Sequence, residues 1–266
     1  MHKIGALIRA GWLAATSYRF GVVMSFASLI VGVIPVYFVT QALQSTMSTV
    51  IAGEGDQFFA FIVVGMSSLT LISATLYALP TALQTGTSTG TIEAMLATPT
   101  GVPTLLAGLA GYDVLYALLR ATVVLLAATV LGAHLAWDRI LTVAPVLALV
   151  ILAHIPIGVI AAAMVLAFRT PGPLPQLVFM LSTFLGGVYY PTKVIPGAVR
   201  VISDFVPLTY GLKAIRKVLL EGKPLTAVSH ELLVLAGFAA VLAVIGALSF
   251  QAALRYARRA GTLAQY

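Results

Sequence analysis

The first long apolar segment of the chain, residues 20–42, has the sequence FGVVMSFASLIVGVIPVYFVTQA and contains no Asp, Glu, Lys or Arg. A helix needs about 20 predominantly apolar residues to cross the ~30 Å hydrocarbon core of a bilayer. The segment has that length, and its apolar residues surround the helix instead of forming one stripe. It therefore predicts a membrane-spanning helix.

The composition of the whole chain agrees with this segment. Of its 266 residues, 60% are hydrophobic and 9% are charged, whereas soluble domains average about 45–50% and about 25%. The mean hydropathy is +1.04. These values exclude a soluble globular enzyme and a disordered regulator, and they predict an integral membrane protein.

Five more apolar segments follow the first one. We therefore expect a single all-α integral membrane domain over residues 1–266, with six transmembrane helices. The fifth segment has about 15 residues and is short, because spans usually need at least about 17. The predicted spans are 20–42, 58–79, 105–133, 140–168, 176–190 and 232–255.

The N-terminal segment, residues 1–19, is not a span. Its apolar residues recur at helical spacing and form one stripe, while Lys3 and Arg9 lie elsewhere on the helix. An amphipathic helix that carries Lys, Arg and Trp suits the membrane surface, and a frayed cytosolic tail is the alternative. The stripe consists of Ile4, Leu7, Ile8, Trp12 and Ala15.

The segment between the last two predicted spans, residues 191–231, is neither a span nor an ordinary loop. Residues 195–206 are largely apolar but include Arg200 and Asp204, and residues 208–220 are amphipathic. Two short re-entrant helices would explain this pattern. Irregular backbone survives at such depth only where it packs against protein or lines water.

The charges indicate topology rather than nucleic-acid binding. Lys and Arg number 15 against 8 acidic residues, and they cluster at the ends of apolar runs, where they set orientation and meet lipid headgroups. Because the polar segment 44–56 has no Lys or Arg, we expect this segment on the outer side of the membrane and both termini in the cytoplasm. The chain has no Cys and four scattered His, so we expect no metal site.

Motifs for independent catalysis are missing. The chain has no GxxxxGK[ST] phosphate-binding loop, and His230-Glu231 lacks the second His of a zinc protease. Asp113 and Arg120 lie two turns apart on one helix face, either as a gating pair or as an interfacial acid with a snorkelling arginine. We expect the second arrangement, and we expect His154 to be a packing residue.

Two further motifs resemble one protein family. Gly90-Thr91-Ile92-Glu93-Ala94-Met95-Leu96-Ala97-Thr98-Pro99 resembles the cytosolic G-T-x-E-x-(L/M)-L-x-T-P signature of ABC-2-type transporter permeases. The outer re-entrant segment of the same family is similar to a second, longer pattern. That pattern runs through Gly187-Val188-Tyr189-Tyr190-Pro191, Ile195-Pro196, Pro207-Leu208-Thr209-Tyr210-Gly211-Leu212 and Arg216 to Gly222.

The resemblance implies the membrane subunit of a bacterial ATP-driven exporter in the cytoplasmic membrane. Residues 84–101 would contain the coupling helix, which docks on a separate nucleotide-binding ATPase subunit present in two copies. That subunit would bind ATP and Mg, and this chain would need no cofactor. A second permease copy, identical or related, would complete the complex. The implied coupling residues are Gly90, Thr91, Ile92, Glu93, Met95, Leu96 and Pro99.

The resemblance also implies that the re-entrant helices shape the outer exit of the pathway. Lys213, Arg216 and Lys217 share one face of the second helix and would attract an anionic substrate there, or they would mark the outer interface. The implied substrate is a drug, a lipid-linked molecule or a glycan. The alternative is a stand-alone secondary transporter or channel. The implied pathway residues are Gly187, Tyr189, Tyr190, Pro191, Pro207, Tyr210 and Arg216.

Overall fold

The computed structural model of the chain describes residues 2–88 and 102–259, and these residues form helices without any β-strand. Nine α-helices are described within these ranges, and we number them in chain order. They are α1 (His2–Ser17), α2 (Arg19–Ile51), α3 (Phe58–Ser88), α4 (Val102–Val130), α5 (Ile140–Phe168), α6 (Leu174–Leu185), α7 (Gly197–Ser203), α8 (Pro207–Leu219) and α9 (Ser229–Arg259).

Within the described ranges, five helices are long and apolar enough to cross a membrane: α2, α3, α4, α5 and α9. The predicted fifth span, residues 176–190, is helical only over Leu174–Leu185. Its 12 residues extend about 18 Å at 1.5 Å per residue. The chain then turns at Gly186 and Gly187, because Gly187 adopts a positive φ of 86°, a conformation that favours glycine.

The long helices connect two ends of the bundle. We call the end that carries residues 52–57 the Glu54 end, and the opposite end, where α1 packs, the α1 end. Helices α2 and α4 run from the α1 end to the Glu54 end, and helices α3, α5 and α9 run in the opposite direction. Segment α6 to α8 brings the chain back to the Glu54 end before α9 begins.

The core lies around α3, which is the most enclosed of the long helices. It packs against α4 and α5, and α8 adds Leu208, Leu212 and Ile215 to the main buried cluster. Helix α9 packs mainly along α5, where Gly246 allows close approach to the carbonyl oxygen of Pro156. Helices α2 and α9 leave most of their apolar surface exposed, as expected for helices that face lipid or another protein.

Two helices extend beyond the spans predicted for them. Helix α3 does not stop at Leu79 but continues through Pro80 to Ser88, so residues 84–88 are helical and not part of a loop. A proline inside a membrane helix is tolerated because neighbouring groups satisfy the freed carbonyl. Helix α2 likewise continues from the predicted end at residue 42 to Ile51, since polar side chains of this extension bond to the preceding turn, as Ser48 does to the carbonyl of Ser45.

The N-terminal segment is helical, as the apolar stripe predicts, and it ends at Tyr18, where the backbone turns into α2. Its stripe packs on the first turns of α4. A side chain at Gly108 would meet Cβ of Leu7 at 2.7 Å, and one at Gly111 would meet Cδ1 of Ile8 at 3.0 Å. Two glycines of α4 therefore allow α1 to lie directly against it.

Candidate functional site

The best-defined polar site of the described chain surrounds Arg216 on α8. This side chain is 1% exposed, and its guanidinium donates four hydrogen bonds. Nη1 donates to Oε2 of Glu54 at 3.0 Å and to the carbonyl of Gly187 at 2.8 Å. Nη2 donates to the carbonyls of Phe61 and Val188, both at 3.1 Å.

The guanidinium also lies on an aromatic ring. Its central carbon is 3.3 Å from the centroid of Phe61, a distance at which a cation is attracted to the face of the ring. Glu54 supplies the counter-charge of this buried guanidinium.

The local sequence explains how one side chain reaches so many acceptors. The turn at Gly186 and Gly187 points the carbonyls of Gly187 and Val188 toward α3. A side chain at Gly65 would lie 2.6 Å from the carbonyl oxygen of Val188 and 3.2 Å from Nη2 of Arg216. Only a glycine at this position lets the turn and the guanidinium approach α3.

The three basic residues of α8 do not form one exposed face, which corrects the sequence interpretation. Arg216 points into the protein, as described above. Nζ of Lys217 lies 2.7 Å from Oε1 of Glu231 at the start of α9, and Nζ of Lys213 lies 5.9 Å from the ring centroid of Tyr210. Both lysines are partly exposed. Arg216 therefore links segments inside the protein and does not share an exposed face with the two lysines.

Two glutamine side chains join other segments at the Glu54 end. Gln44 on α2 donates to the carbonyl of Asp56 and accepts from the amide of Phe58, the first residue of α3. Gln57 donates to the carbonyl of Gly132 and accepts from the amide of His134, between α4 and α5. These amides, together with the Arg216 contacts, connect α2, α3, α8 and both intervening loops.

Residues 3–220 match the family model described as "ABC-2 type transporter". The match includes α1 to α8 and covers most of the chain. The chain belongs to the ABC-2 type transporter family. It is also similar to Nodulation protein J of Rhizobium meliloti (strain 1021), with 27% identity over 192 residues, which is 71% of each protein. The chain is thus a multi-pass membrane component of an ABC transport system, and the family implies an ABC ATPase as its partner.

The predicted coupling residues of this ABC-2 chain lie outside the described residues. Gly90, Thr91, Ile92, Glu93, Met95, Leu96 and Pro99 all fall between Ser88, where the description of α3 ends, and Val102, the first residue of α4. Their role as a coupling helix stays a prediction. The flanking helices place both connections to this segment at the α1 end.

The predicted pathway residues of the ABC-2 chain separate into two groups. Gly187 and Arg216 meet directly, and Pro191 and Pro207 are buried nearby, with Pro207 starting α8. The tyrosines bond within their own segments. Tyr190 donates to the carbonyl of Phe184 at 2.6 Å, Tyr210 donates to that of Asp204 at 3.2 Å, and Tyr189 is exposed.

The structure also shows the surroundings of the charged and polar residues that the sequence singles out in the long helices. Asp113 and Arg120 do not form an ion pair in the described structure. His154 is fully buried, and its Nδ1 lies 2.7 Å from the carbonyl of Val150, which makes Nδ1 the protonated nitrogen. No group of three His, Cys, Asp or Glu residues suited to a metal ion occurs within the described ranges.

The acceptors of Arg216 were not found by sequence reasoning. Glu54 was noted only as part of an acidic loop, and Phe61 and Gly65 only as part of an apolar span. The one available signal was that residues 44–56 contain two acids and no base, which left Glu54 without a partner nearby in sequence. Such a residue requires either solvent or a distant cation.

Proposed function

We propose that the chain is the permease subunit of an ATP-driven exporter that moves an amphiphilic substrate, such as a drug, a lipid or a lipid-linked glycan, across the cytoplasmic membrane. Two ATPase subunits, which bind ATP and Mg, dock on residues 84–101 of two permease copies. The observation that carries this proposal is the ABC-2 family match over residues 3–220. The GTIEAMLATP motif supports the docking site.

The proposed topology places the α1 end in the cytoplasm and the Glu54 end outside. Helix α6 serves as the fifth span, and α7 and α8 form the re-entrant pair that completes the crossing. Support comes from the burial of Arg216 on α8 against the first turns of α3. A helix that carries a charge can remain below a membrane surface when protein groups satisfy that charge. Here one carboxylate and three carbonyls accept from the guanidinium.

In the proposed mechanism, ATP-driven closure of the ATPases moves residues 84–101, and α3 and α4 pass this motion along the bundle. Both helices begin or end next to the segment, and α3 contacts the Gly187 turn and Arg216 at its other end. A displacement of α3 therefore acts on the outer segments through direct contacts. The outer segments open as one unit, because Arg216 and the glutamines connect them.

The decisive experiment co-expresses the chain with an ABC ATPase encoded beside it and measures co-purification and ATP turnover. Glu93→Arg reverses the charge of the proposed coupling helix, so we expect loss of co-purification and of substrate-stimulated ATP turnover. Asp138→Arg is the matched control, because Asp138 is an exposed acid at the Glu54 end. We expect this control to behave like the unmodified chain.

A different outcome would redirect the assignment. If the chain transports substrate in vesicles without any ATPase and responds to an ion gradient, it acts as a secondary transporter. If Glu93→Arg and Asp138→Arg both leave co-purification intact, residues 84–101 are not the docking segment.

A further inference from the structure

Arg120 on α4 carries a positive charge that no described residue neutralises. It lies inside the candidate span Ala110–Val130 of α4, about 15 Å before the last residue of that helix, Val130. Its Nε is buried and has no hydrogen-bond partner among the described residues. None of the ion pairs in these ranges includes it.

A charged side chain inside a span is costly unless it is paired or reaches water or headgroups. The closest acid on the same helix face is Asp113, two turns nearer the α1 end, and it does not bond to Arg120. The apolar neighbours of this stripe on α2, such as Val33, pack against Val124 one turn beyond Arg120. Within the described residues, Arg120 therefore has no counter-charge.

A column of aromatic side chains extends from the guanidinium of Arg120 toward the α1 end. Side chains on a helix slope toward its N-terminus, and the guanidinium carbon lies 5.9 Å from the ring centroid of Tyr116, one turn earlier. Tyr116 stacks on Tyr112 with centroids 5.9 Å apart, and Trp12 of α1 meets Tyr112 edge-on at 6.5 Å.

This aromatic column has the character of a membrane interface. Tyr and Trp are enriched at headgroup level because each combines an apolar ring with a polar group. The hydroxyl of Tyr116 lies 3.5 Å from Oγ of Ser25 on α2. The column thus extends headgroup-like chemistry from α1 along α4, with an unpaired cation at its inner end.

We infer that Arg120, Tyr116 and Tyr112 form a binding site for the negatively charged headgroup of an amphiphile, which enters from the leaflet at the α1 end. A phosphate or carboxylate accepts the free N–H groups of Arg120, and the tyrosine rings line the headgroup. The site does not depend on the proposed ATPase coupling, and its ligand is either a membrane lipid or a soluble anion.

The test measures lipid binding to the full-length chain. Protein delipidated in a neutral detergent is titrated with dioleoyl phosphatidylglycerol or dioleoyl phosphatidylcholine, and bound lipids are counted by native mass spectrometry. We expect the unmodified chain to prefer phosphatidylglycerol and Arg120→Gln to bind it about tenfold more weakly, since a hydrogen-bonded charge contact is lost. Binding of phosphatidylcholine should change little.

Arg200→Gln is the matched control, because Arg200 is an exposed arginine on α7 and its loss should leave the preference intact. Arg120→Lys keeps the charge and should retain most of the preference. Excess inorganic phosphate then separates the two sources. Displacement of phosphatidylglycerol supports the site and assigns it to a soluble anion, whereas unchanged binding supports it and assigns it to a lipid.

The inference is overturned if Arg120→Gln binds phosphatidylglycerol as well as the unmodified chain does. It is equally overturned if the unmodified chain shows no preference for phosphatidylglycerol, a comparison that stands even if Arg120→Gln does not fold. A third contrary result is a loss of self-association in Arg120→Gln without any change in lipid binding. That result would mean that a second copy supplies the counter-charge.

Discussion

Removal of the guanidinium of Arg216 leaves one carboxylate and three carbonyls without their donor. Breaking a buried ion pair on one side typically costs about 3–5 kcal/mol, because the other charge stays buried and unpaired. We therefore expect Arg216→Leu to lower the thermal unfolding temperature strongly in detergent. The unfolding temperature of Arg216→Lys should fall less, because lysine keeps the charge. It should still fall, because lysine lacks the planar set of donors.

Lys213→Leu is the control for this prediction, because Lys213 is a partly exposed base on the same helix. It should unfold close to the temperature of the unmodified chain. Equal unfolding temperatures for Arg216→Leu and Lys213→Leu would mean that the Arg216 contacts contribute little.

Gly65 gives a second prediction at the residue scale. A methyl group there would lie 2.6 Å from the carbonyl oxygen of Val188, so Gly65→Ala must displace the Gly187 turn or α3. Gly237→Ala on α9 has no atom within 4 Å of the new carbon and gains up to about 1 kcal/mol of helix propensity. We expect a lower thermal unfolding temperature for Gly65→Ala and no decrease for Gly237→Ala. Identical shifts would argue against close packing at Gly65.

At the scale of elements, the contact between α1 and α4 depends on small residues. Gly108→Ala would push against Cβ of Leu7, which belongs to the rigid part of that side chain, whereas Gly5→Ala meets no atom within 4 Å. We expect Gly108→Ala to loosen α1 and to make trypsin cleavage at the exposed Arg9 several-fold faster. Gly5→Ala should be cleaved like the unmodified chain, and equal rates in all three proteins would show that α1 is held by other contacts.

Element boundaries were predictable where a change of composition coincides with a change of structure. The predicted segment 140–168 agrees with α5, Ile140–Phe168, because charged and Pro-Gly residues flank it. The predicted amphipathic segment 208–220 agrees closely with α8, Pro207–Leu219, since Pro207 favours a first helical position. Helix α3 continues beyond the predicted span because Pro80 alone does not terminate a packed membrane helix.

The partners of Arg216 were beyond prediction for a different reason. The sequence identifies Arg216 through its motif, but Glu54 is 162 positions away, and no local periodicity relates two such distant residues. The same limit applies to Gln57 and His134, which are 77 positions apart. Contacts between elements depend on how the whole bundle packs, whereas sequence patterns report the faces of single elements.

At the scale of the whole molecule, α1 and the last turns of α9 lie at the same end of the bundle. Phe250 of α9 and Ala110 of α4 pack in one cluster with Leu79 and Leu83 of α3. Segment α6 to α8 returns the chain to the Glu54 end, so this arrangement holds even though α6 is shorter than a span. The two ends of the described chain therefore lie at the same end of the bundle.

Single cysteines can test this topology because the chain has no native Cys. We expect a membrane-impermeant maleimide to label Asp138→Cys in intact cells and to label Arg9→Cys and Arg255→Cys only after permeabilisation. The latter two positions lie in α1 and near the end of α9, so they should behave alike. Labelling of Arg9→Cys and Arg255→Cys from opposite sides would contradict the arrangement of the bundle.

The distance along the chain between Glu54 and Arg216 also affects how the protein is made. At about 5–20 residues per second, a ribosome needs on the order of 10–30 s to synthesise the 162 positions between them. During that interval the carboxylate of Glu54 lacks the arginine that pairs with it in the folded protein. This ion pair can therefore form only late in biogenesis, after α8 has been synthesised.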